Sequence, residues 1–486
     1  MAQSGDGRVL EFSMSHASDA TKGAGNGEPE SAKRAFDSLS GALSPGRVEE
    51  QYEDKHPRYT EGEAIAEANR CLYCVDAPCI SACPTAIDIP TFIHKISTGN
   101  VRGAARTILT ANLLGQSCSQ VCPVEVLCAG SCVYNAWERE PIKIGRLQRY
   151  AVETALEKNP ALFPKKAPTG KRVACIGAGP ASLAVAGWLA LEGHQAVIFE
   201  KKPLPGGLNT LGVAPYKMKA DESLREIDWL LSLGDVELRS GVSVVAEPKE
   251  AGEVAAASLL KEYDAVFLGL GLGDDSKLNI PGEAGDGVVG AVAFVERLKV
   301  DPALAVEGVR RAAVIGGGNT ALDVAHELAL LGIDVALVYR RSRAEMTGYA
   351  HELDGARVDG ARLIENRAPV EVLREGERVV GLRLARTEGG RPVAGGEEVL
   401  PVDLVAVSIG QSRVTQLALA FEGVELDGKG RLVVDKATGR TGNPRVWSGG
   451  DCVNGGDLVV TAVADGKRAA QSIHALLVDA KASVGG

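Results

Sequence analysis

Aromatic side chains are scarce in this chain: Phe, Trp and Tyr make up 4% of its 486 residues. That argues against a stacking platform for single-stranded nucleic acid, whose affinity comes from rings laid against bases. An excess of positive charge is missing too. The formal net charge is −10, so the chain as a whole repels a phosphate backbone. No apolar run reaches the length of a membrane span. The first twenty residues, MAQSGDGRVLEFSMSHASDA, lack a basic start followed by a continuous apolar stretch, so no secretory signal is read there. Neither nucleic acid nor a membrane is an expected partner, and the cytoplasm is the expected compartment.

What is present is glycine, 58 residues of it, on a globular background of 45% hydrophobic and 24% charged residues. The length calls for two to four domains. Residues 1–60 are rich in Ser, Gly, Ala, Glu and Lys without sustained period, and read as a mobile N-terminal tail whose end, near Tyr52 to Tyr59, is a candidate ordered segment. From 61 to 157 the pattern is helical, as in EGEAIAEANR and GRLQRYAVETAL, with cysteine loops between the helices. A linker with three prolines and four lysines, KNPALFPKKAPTGK, follows.

Two similar passages come next. KRVACIGAGPASLAVAGWLALEGHQAVIFEK starts at Lys171, and RRAAVIGGGNTALDVAHELALLGIDVALVYRR at Arg310. Each reads strand, glycine turn, amphipathic helix, strand, which is a duplicated βαβ unit and implies two dinucleotide sites. In the first, Gly177 allows the tight turn and Gly179 lets the backbone approach a pyrophosphate on the helix that begins Pro180, Ala181. Ser182 takes the third, small position. Glu200 ends the second strand, where a carboxylate can accept from ribose hydroxyls. In the second unit the turn is Gly316, Gly318 and Ala321, and its second strand ends in Tyr339, Arg340 and Arg341, with Arg343 nearby. An acid there would repel a 2′-phosphate, whereas guanidinium groups pair with one, so NADPH is expected ahead of NADH. A strand, the Gly449-Gly450-Asp451 loop and a helix close the chain.

Eight of the ten cysteines lie between Cys71 and Cys132. CLYCVDAPCISACP supplies Cys71, Cys74, Cys79 and Cys83, and a second group follows at Cys118, Cys122, Cys128 and Cys132. One unit ending in Glu200 and one in Arg340 and Arg341 fit FAD in the first and NADPH in the second. Two Cys₄ zinc sites satisfy the thiol count, but zinc would do nothing for that flavin, while iron–sulfur clusters take single electrons from one. Two clusters are the expected content. Cys175, inside a strand, reads as apolar filler. Cys452 has no partner thiol in a C-x-x-C or C-x₄-C spacing, which disfavours disulfide reductase chemistry.

With cysteine groups, two glycine turns and a GGD loop in this order, the sequence from about residue 60 onward resembles the electron-input half of dihydropyrimidine dehydrogenase. The small subunit of NADPH-dependent glutamate synthase belongs to the same superfamily and is the rival reading. The resemblance implies an α/β architecture: a helical iron–sulfur domain (61–157), then an FAD domain in two parts (170–290 and 402–486) with an NAD(P)H domain (291–401) inserted in it. It implies FAD at the first turn and NADPH or NADH at the second, no catalytic acid or base, and an FMN- and iron–sulfur-containing catalytic partner in a hetero-oligomer. Carried over by position, Cys71, Cys74, Cys79 and Cys132 would hold one [4Fe–4S] cluster. Cys83, Cys122, Cys128 and Gln148 would hold the other, with Cys118 competing for the last corner. Gly206, Gly207, Leu208, Lys217, Gly450 and Asp451 resemble flavin contacts. Gly318, Asn319, Thr320, Arg340 and Arg341 resemble nicotinamide contacts.

Overall fold

The structure, a computed structural model, describes residues 38–304, 306 and 308–482. The helical part opens with α1 (Glu61–Ala68), where Thr60 accepts from the Glu63 N–H and Glu63 takes the Thr60 N–H in return. α2 (Ile89–Ser97) and α3 (Val101–Ala111) start at Asp88 and Asn100, whose side chains cap them. α4 (Gly115–Val121) and α5 (Ile144–Lys158) complete the bundle.

The flavin domain begins with β1 (Arg172–Ile176), α6 (Pro180–Leu191), β2 (Gln195–Glu200), α7 (Ala220–Leu231), β3 (Val236–Ser240) and β4 (Ala265–Leu268). The second unit comprises β5 (Val288–Gly290), α8 (Ala291–Val300), β6 (Arg311–Ile315), α9 (Asn319–Leu330), β7 (Asp334–Tyr339), α10 (Ala350–Val358) and β8 (Arg362–Glu365). An antiparallel ribbon, β9 (Arg367–Glu375) and β10 (Arg378–Glu388), precedes β11 (Leu404–Val407), β12 (Val446–Ser448) and the long α11 (Val459–Ala482). The first sheet runs β12-β4-β1-β2-β3 and the second β8-β7-β6-β11-β5, with every pair parallel. Inner strands such as AVFL and LVAV are apolar throughout because both their faces are covered.

Since β12 pairs with β4 across the whole second unit, that unit is an insertion in the first. It is wider than 291–401. Val288–Gly290 and Leu404–Val407 both pair inside the second sheet, and the two crossing chains run side by side, Ser276 N donating to Gly410 O at 2.9 Å. A short apolar run announces a buried strand, but only pairing decides which sheet it joins.

Two further boundaries differ from expectation. The helical bundle and the flavin domain share one core, with Leu113 and Leu147 in the same cluster as Leu183, Trp229 and Leu230. The expected tail is only partly addressed: residues 1–37 lie outside the described residues, and 38–60 are packed. Val48 and Tyr52 enter the core of the inserted unit beside Tyr216 and Leu298. Glu49, fully buried, takes the Ala220 N–H at 3.0 Å, and Tyr52 donates to Glu327 O at 3.2 Å. Sequence period misses this strap because its few apolar contacts follow neither helix nor strand spacing. Replacing Tyr52 by Ala empties a buried ring site at the seam. It should cost about 3 kcal/mol, read as a lowered urea midpoint for unfolding of the inserted unit.

Candidate functional site

The cysteines surround two adjoining cavities. Cys71, Cys74, Cys79 and Cys132 line the first, with Leu72, Val133 and Tyr134. Cys83, Cys118, Cys122, Cys128 and Gln148 line the second. The short helical turn Pro78–Ser81 sends Cys79 into one cavity and Cys83 into the other, and Ile89 lines both. Burial pushes the Cys79 thiol up to about 11, with Cys71 and Cys132 adding to it. It pushes Cys128 up to about 12, where Cys83 and, across the wall, Cys79 add theirs. A hydrogen bond with Cys118, then burial, carries Cys122 far up.

Thiols grouped in this way stay protonated until a metal takes their protons. Thiols spread around a cavity suit a multi-atom cluster better than a lone zinc. The residues therefore fit iron–sulfur clusters. Five candidate ligands meet four corners in the second cavity. Gln148 donates its Nε2 to Gly115 O at 2.7 Å, which leaves Oε1 as its acceptor, with no side-chain hydrogen bond among the described residues. Next to it, Arg149 is gripped by Asp54, Glu153 and Glu222 at 2.6, 2.7 and 2.9 Å, so the rotation of α5 about its axis is fixed.

At the first glycine turn, Gly177 has φ +87° and a Cβ there would meet Gly269 O at 2.5 Å, so both conformation and space demand glycine. A Cβ on Gly179 would meet nothing within 4 Å. α6 starts without a side-chain cap, and its first N–H groups face this open space. The buried Glu200 carboxylate accepts from Ala178 N at 2.7 Å and Lys202 N at 2.8 Å. It thus shapes the turn besides offering lone pairs to a ribose. Gly206 N donates to Ala178 O at 2.9 Å, so Gly206, Gly207 and Leu208 lie over the turn. From the far end of the chain, Gly450 sits so close that its Cβ would lie 3.3 Å from that of Ala181. Gly450 N donates to Asp465 on α11 at 2.9 Å, a supporting residue that no motif pointed to. Asp451, with its carboxyl pushed up by burial, accepts from Asp457 N at 3.1 Å. Pro180, Ala181, Glu200, Gly206, Gly207, Leu208, Gly450 and Asp451 therefore converge on one cradle that fits a dinucleotide.

The second turn repeats the first. A Cβ on Gly316 would meet Ser408 O at 2.2 Å, and Ser408 follows β11 just as Gly269 follows β4. α9 also begins without a side-chain cap. Gly348 N donates to Gly317 O at 2.9 Å, the same contact that Gly206 makes with Ala178. Asn319 Oδ1 takes the Tyr349 N–H at 2.9 Å, pinning that loop over Gly318 and Thr320. Gly348 and Tyr349 were missed from sequence, although Gly348 stands as far past its turn, to within a few residues, as Gly206 does past the first. Arg340 and Arg341 make no ion pair within 4 Å among the described residues and flank Gly390. Arg343 is instead paired with Asp354 at 2.7 Å on the surface.

Lys217 is the candidate flavin contact whose side chain the structure ties to the inserted unit. Its ammonium binds Asp323 at 2.7 Å and Glu352 at 2.9 Å, both in the inserted unit. Burial alone would pull Lys217 down, but the two carboxylates hold it above its ordinary range. Burial would raise Glu352, yet Lys217 and Lys55 bring it down to about 2. Cys175 and Cys452 are fully buried, and Cys452 donates to Leu268 O at 3.6 Å.

On α7, Glu226 takes Gln116 N at 2.7 Å, Ser117 N at 3.0 Å and the Ser117 hydroxyl, so the flavin domain holds the start of α4. Burial raises its carboxyl from 4.5 to about 7 against those donors. A raised folded-state value means that the stability it contributes is complete below the unfolded value of 4.5 and is lost as pH climbs through about 7. Compared with Glu226→Gln, the unsubstituted protein should lose up to about 3 kcal/mol across that window. Urea midpoints at stepped pH check this, and a pH-independent difference between the two proteins contradicts it.

Comparison with known proteins follows the same division. Residues 47–160 match the family model described as dihydropyrimidine dehydrogenase domain II, 4Fe-4S cluster. Residues 171–466 match the pyridine nucleotide-disulphide oxidoreductase family. The NADPH glutamate synthase small chain of Escherichia coli is 34% identical over 442 residues, 85% of this chain and 92% of that one. The NAD-dependent dihydropyrimidine dehydrogenase subunit PreT of Salmonella typhimurium is 33% identical over 427 residues, 87% of this chain and 97% of its own. Thioredoxin reductase of T. acidophilum shares the fold with a TM-score of 0.50 at 21% identity, covering 63% of this chain and 98% of that one. No helix among the described residues is long and apolar enough to cross a membrane. FAD, NADPH and iron–sulfur clusters are the cofactors of this architecture. The chain belongs to the pyridine nucleotide-disulphide oxidoreductase family, within the group of flavin and iron–sulfur oxidoreductases that holds glutamate synthase small chains and PreT subunits.

Proposed function

We propose that this chain is the electron-input subunit of a larger cytoplasmic reductase, drawing on NADPH and feeding a separate FMN- and iron–sulfur-containing subunit that reduces uracil or thymine to the 5,6-dihydro compound. The observation that carries the reading is the position of Val460. It lies in the first turn of α11, just after the Gly450–Asp451 loop, and lines the same cavity as Cys83, Cys122, Cys128 and Gln148. The flavin cradle and the second thiol cavity are therefore joined by one helix end.

When bound, FAD accepts two electrons as hydride and iron–sulfur clusters carry electrons one at a time, which is the conversion this arrangement calls for. The chain supplies positions. Gly177, Gly179 and the uncapped start of α6 hold one pyrophosphate; Gly316, Gly318 and the start of α9 hold the other. Asp451 fixes a hydroxyl chain by accepting hydrogen bonds. Cys71, Cys74, Cys79 and Cys132 hold one cluster, and Cys83, Cys122, Cys128 and Gln148 the other. No side-chain acid or base is required for hydride transfer, so catalysis rests on placement. Lys217, bound to Asp323 and Glu352, keeps the inserted unit against the flavin domain. Pyrimidine reduction is the favoured reading because Gln148 lines the second cavity, and the resemblance implies a glutamine as the last cluster ligand in dihydropyrimidine dehydrogenases, where glutamate synthase small subunits more often carry Glu. A second reading, the small chain of a glutamate synthase, is favoured by the 34% identity to that protein.

Anaerobically purified protein should show flavin and two [4Fe–4S] clusters by absorbance and iron and sulfide analysis; flavin without iron would sink the relay. Gln148→Ala should alter the spectrum of one cluster and spare the other. Pull-down of the partner followed by assays with uracil, or with glutamine and 2-oxoglutarate, separates the two readings. Replacing both Arg340 and Arg341 by Ser should lower kcat/KM for NADPH about tenfold and leave that for NADH nearly unchanged. Equal loss with both nucleotides would remove the 2′-phosphate role.

A further inference from the structure

The wall of the second cavity contains one side chain that neither the motifs nor the proposed relay uses. Asn112 caps the C-terminal end of α3, is fully buried, and lines the cavity with Cys83, Cys118, Cys122, Cys128 and Gln148. Its Oδ1 accepts the Leu114 N–H at 3.0 Å. That bond fixes which way the carboxamide faces, because the flipped group would set NH₂ against N–H. Nδ2 is then left without a hydrogen-bond partner. Buried amide donors are rarely left unpaired, because the lost hydration is not returned.

The other cavity-lining side chains narrow what could pair with it. Apart from Asn112 and Gln148, the wall is thiol and apolar. Gln148 turns its own NH₂ away to Gly115 O. Lys467 donates to Ala111 O at 3.2 Å and feels Cys83 only through its charge. Asn112 Nδ2 is thus the cavity's one unpartnered side-chain N–H among the described residues. The side-chain acceptors lining the cavity are the sulfurs and Gln148 Oε1, and the cluster assignment proposed above commits Gln148 Oε1 to iron, which leaves the sulfurs. Neutral thiols accept poorly, whereas metal-bound thiolates and sulfides carry negative charge and accept well.

We infer that Asn112 donates a hydrogen bond from Nδ2 to a sulfur of the iron–sulfur cluster held in the second cavity and raises the reduction potential of that cluster alone. This rests on the cluster assignment proposed above. Such a bond is stronger to the reduced cluster, which carries one more negative charge, so it favours reduction. In the relay it makes the cavity beside the flavin helix the better electron acceptor of the two. Asn112 is a positioning and tuning residue for the cluster; it touches no substrate.

Two variants test it in the full-length protein, with potentials read by EPR-monitored titration and the second-cavity signal assigned by its loss in Cys122→Ala. Asn112→Asp keeps the acceptor for Leu114 N and removes the donor. It should shift the one-electron equilibrium of that cluster towards the oxidised form by about tenfold or more, a fall of about 59 mV, with the other cluster unmoved. Asn112→Leu should shift it in the same direction. Because Asn112→Asp also brings a carboxylate beside the cluster, the neutral Asn112→Leu decides: wild-type potentials in Asn112→Leu with full iron content overturn the inference. Should neither variant assemble the cluster, wild-type protein carrying ¹⁵N in its asparagine carboxamides decides: a hyperfine coupling to the second-cavity cluster supports the bond, and its absence refutes it. Iron missing from the second cavity of the unsubstituted protein would instead remove the cluster assignment itself.

Discussion

The buried Glu226 carboxylate is the joint on which the arrangement of cofactor sites depends. From α7 of the flavin domain it takes two backbone N–H groups and a hydroxyl at the start of α4, the helix that carries Cys118 and leads into Cys122. A short helix with exposed ends is barely stable on its own, and here its first turn is held by a neighbouring domain. Around that joint the apolar surfaces of the bundle and the flavin domain fuse into one core. An iron–sulfur domain tethered only by a linker would leave the distance to the flavin to chance. This one is built into the wall of its neighbour, and the first turn of α11, just after the flavin loop, lies at the edge of the second cavity.

The inserted unit is held differently. Its contact with the flavin domain is polar and buried: Lys217 between Asp323 and Glu352, Tyr216 donating to Asp323 at 3.1 Å, and Lys299 donating to Val213 O and Met218 O. Removing one partner from such a network would leave an uncompensated charge, so the network specifies one orientation of the two nucleotide turns more than it adds stability. The strap through Glu49, Tyr52, Asp54 and Lys55 spans the same seam and reaches Arg149 in the bundle. Three units are thereby fixed with respect to one another by a segment that carries no motif.

Internal duplication reaches further than the glycine turns. In both units a glycine downstream donates to the middle residue of the turn, Gly206 to Ala178 and Gly348 to Gly317. In both, the first turn glycine lies under a carbonyl that follows the neighbouring strand. The copies diverge where their ligands should differ. Glu200 closes on the backbone of its own turn, while Arg340 and Arg341 make no ion pair within 4 Å among the described residues.

Short-range chemistry was legible in the sequence. A turn that needs φ > 0 demands glycine whatever surrounds it, so Gly177 and Gly316 declared two nucleotide units, and apolar runs between them declared buried parallel strands. Eight crowded cysteines declared metal. Questions of pairing were not legible, because they depend on which distant groups share a low-dielectric space. The allegiance of Val288–Gly290 and Leu404–Val407 to the second sheet was of this kind, as was the ordering of residues 38–60. Lys217 reads as a flavin contact from its local string, and that string gives no sign of the two carboxylates, more than a hundred residues away, that its ammonium pairs with. The sequence by itself determined the inventory: two dinucleotide turns, two cysteine groups and the order in which they come. Tertiary structure alone decided which thiols face one cavity, which helix end joins that cavity to the flavin, and which buried amide is left facing it, because hydrogen-bond satisfaction is settled only once the chain has closed around the site.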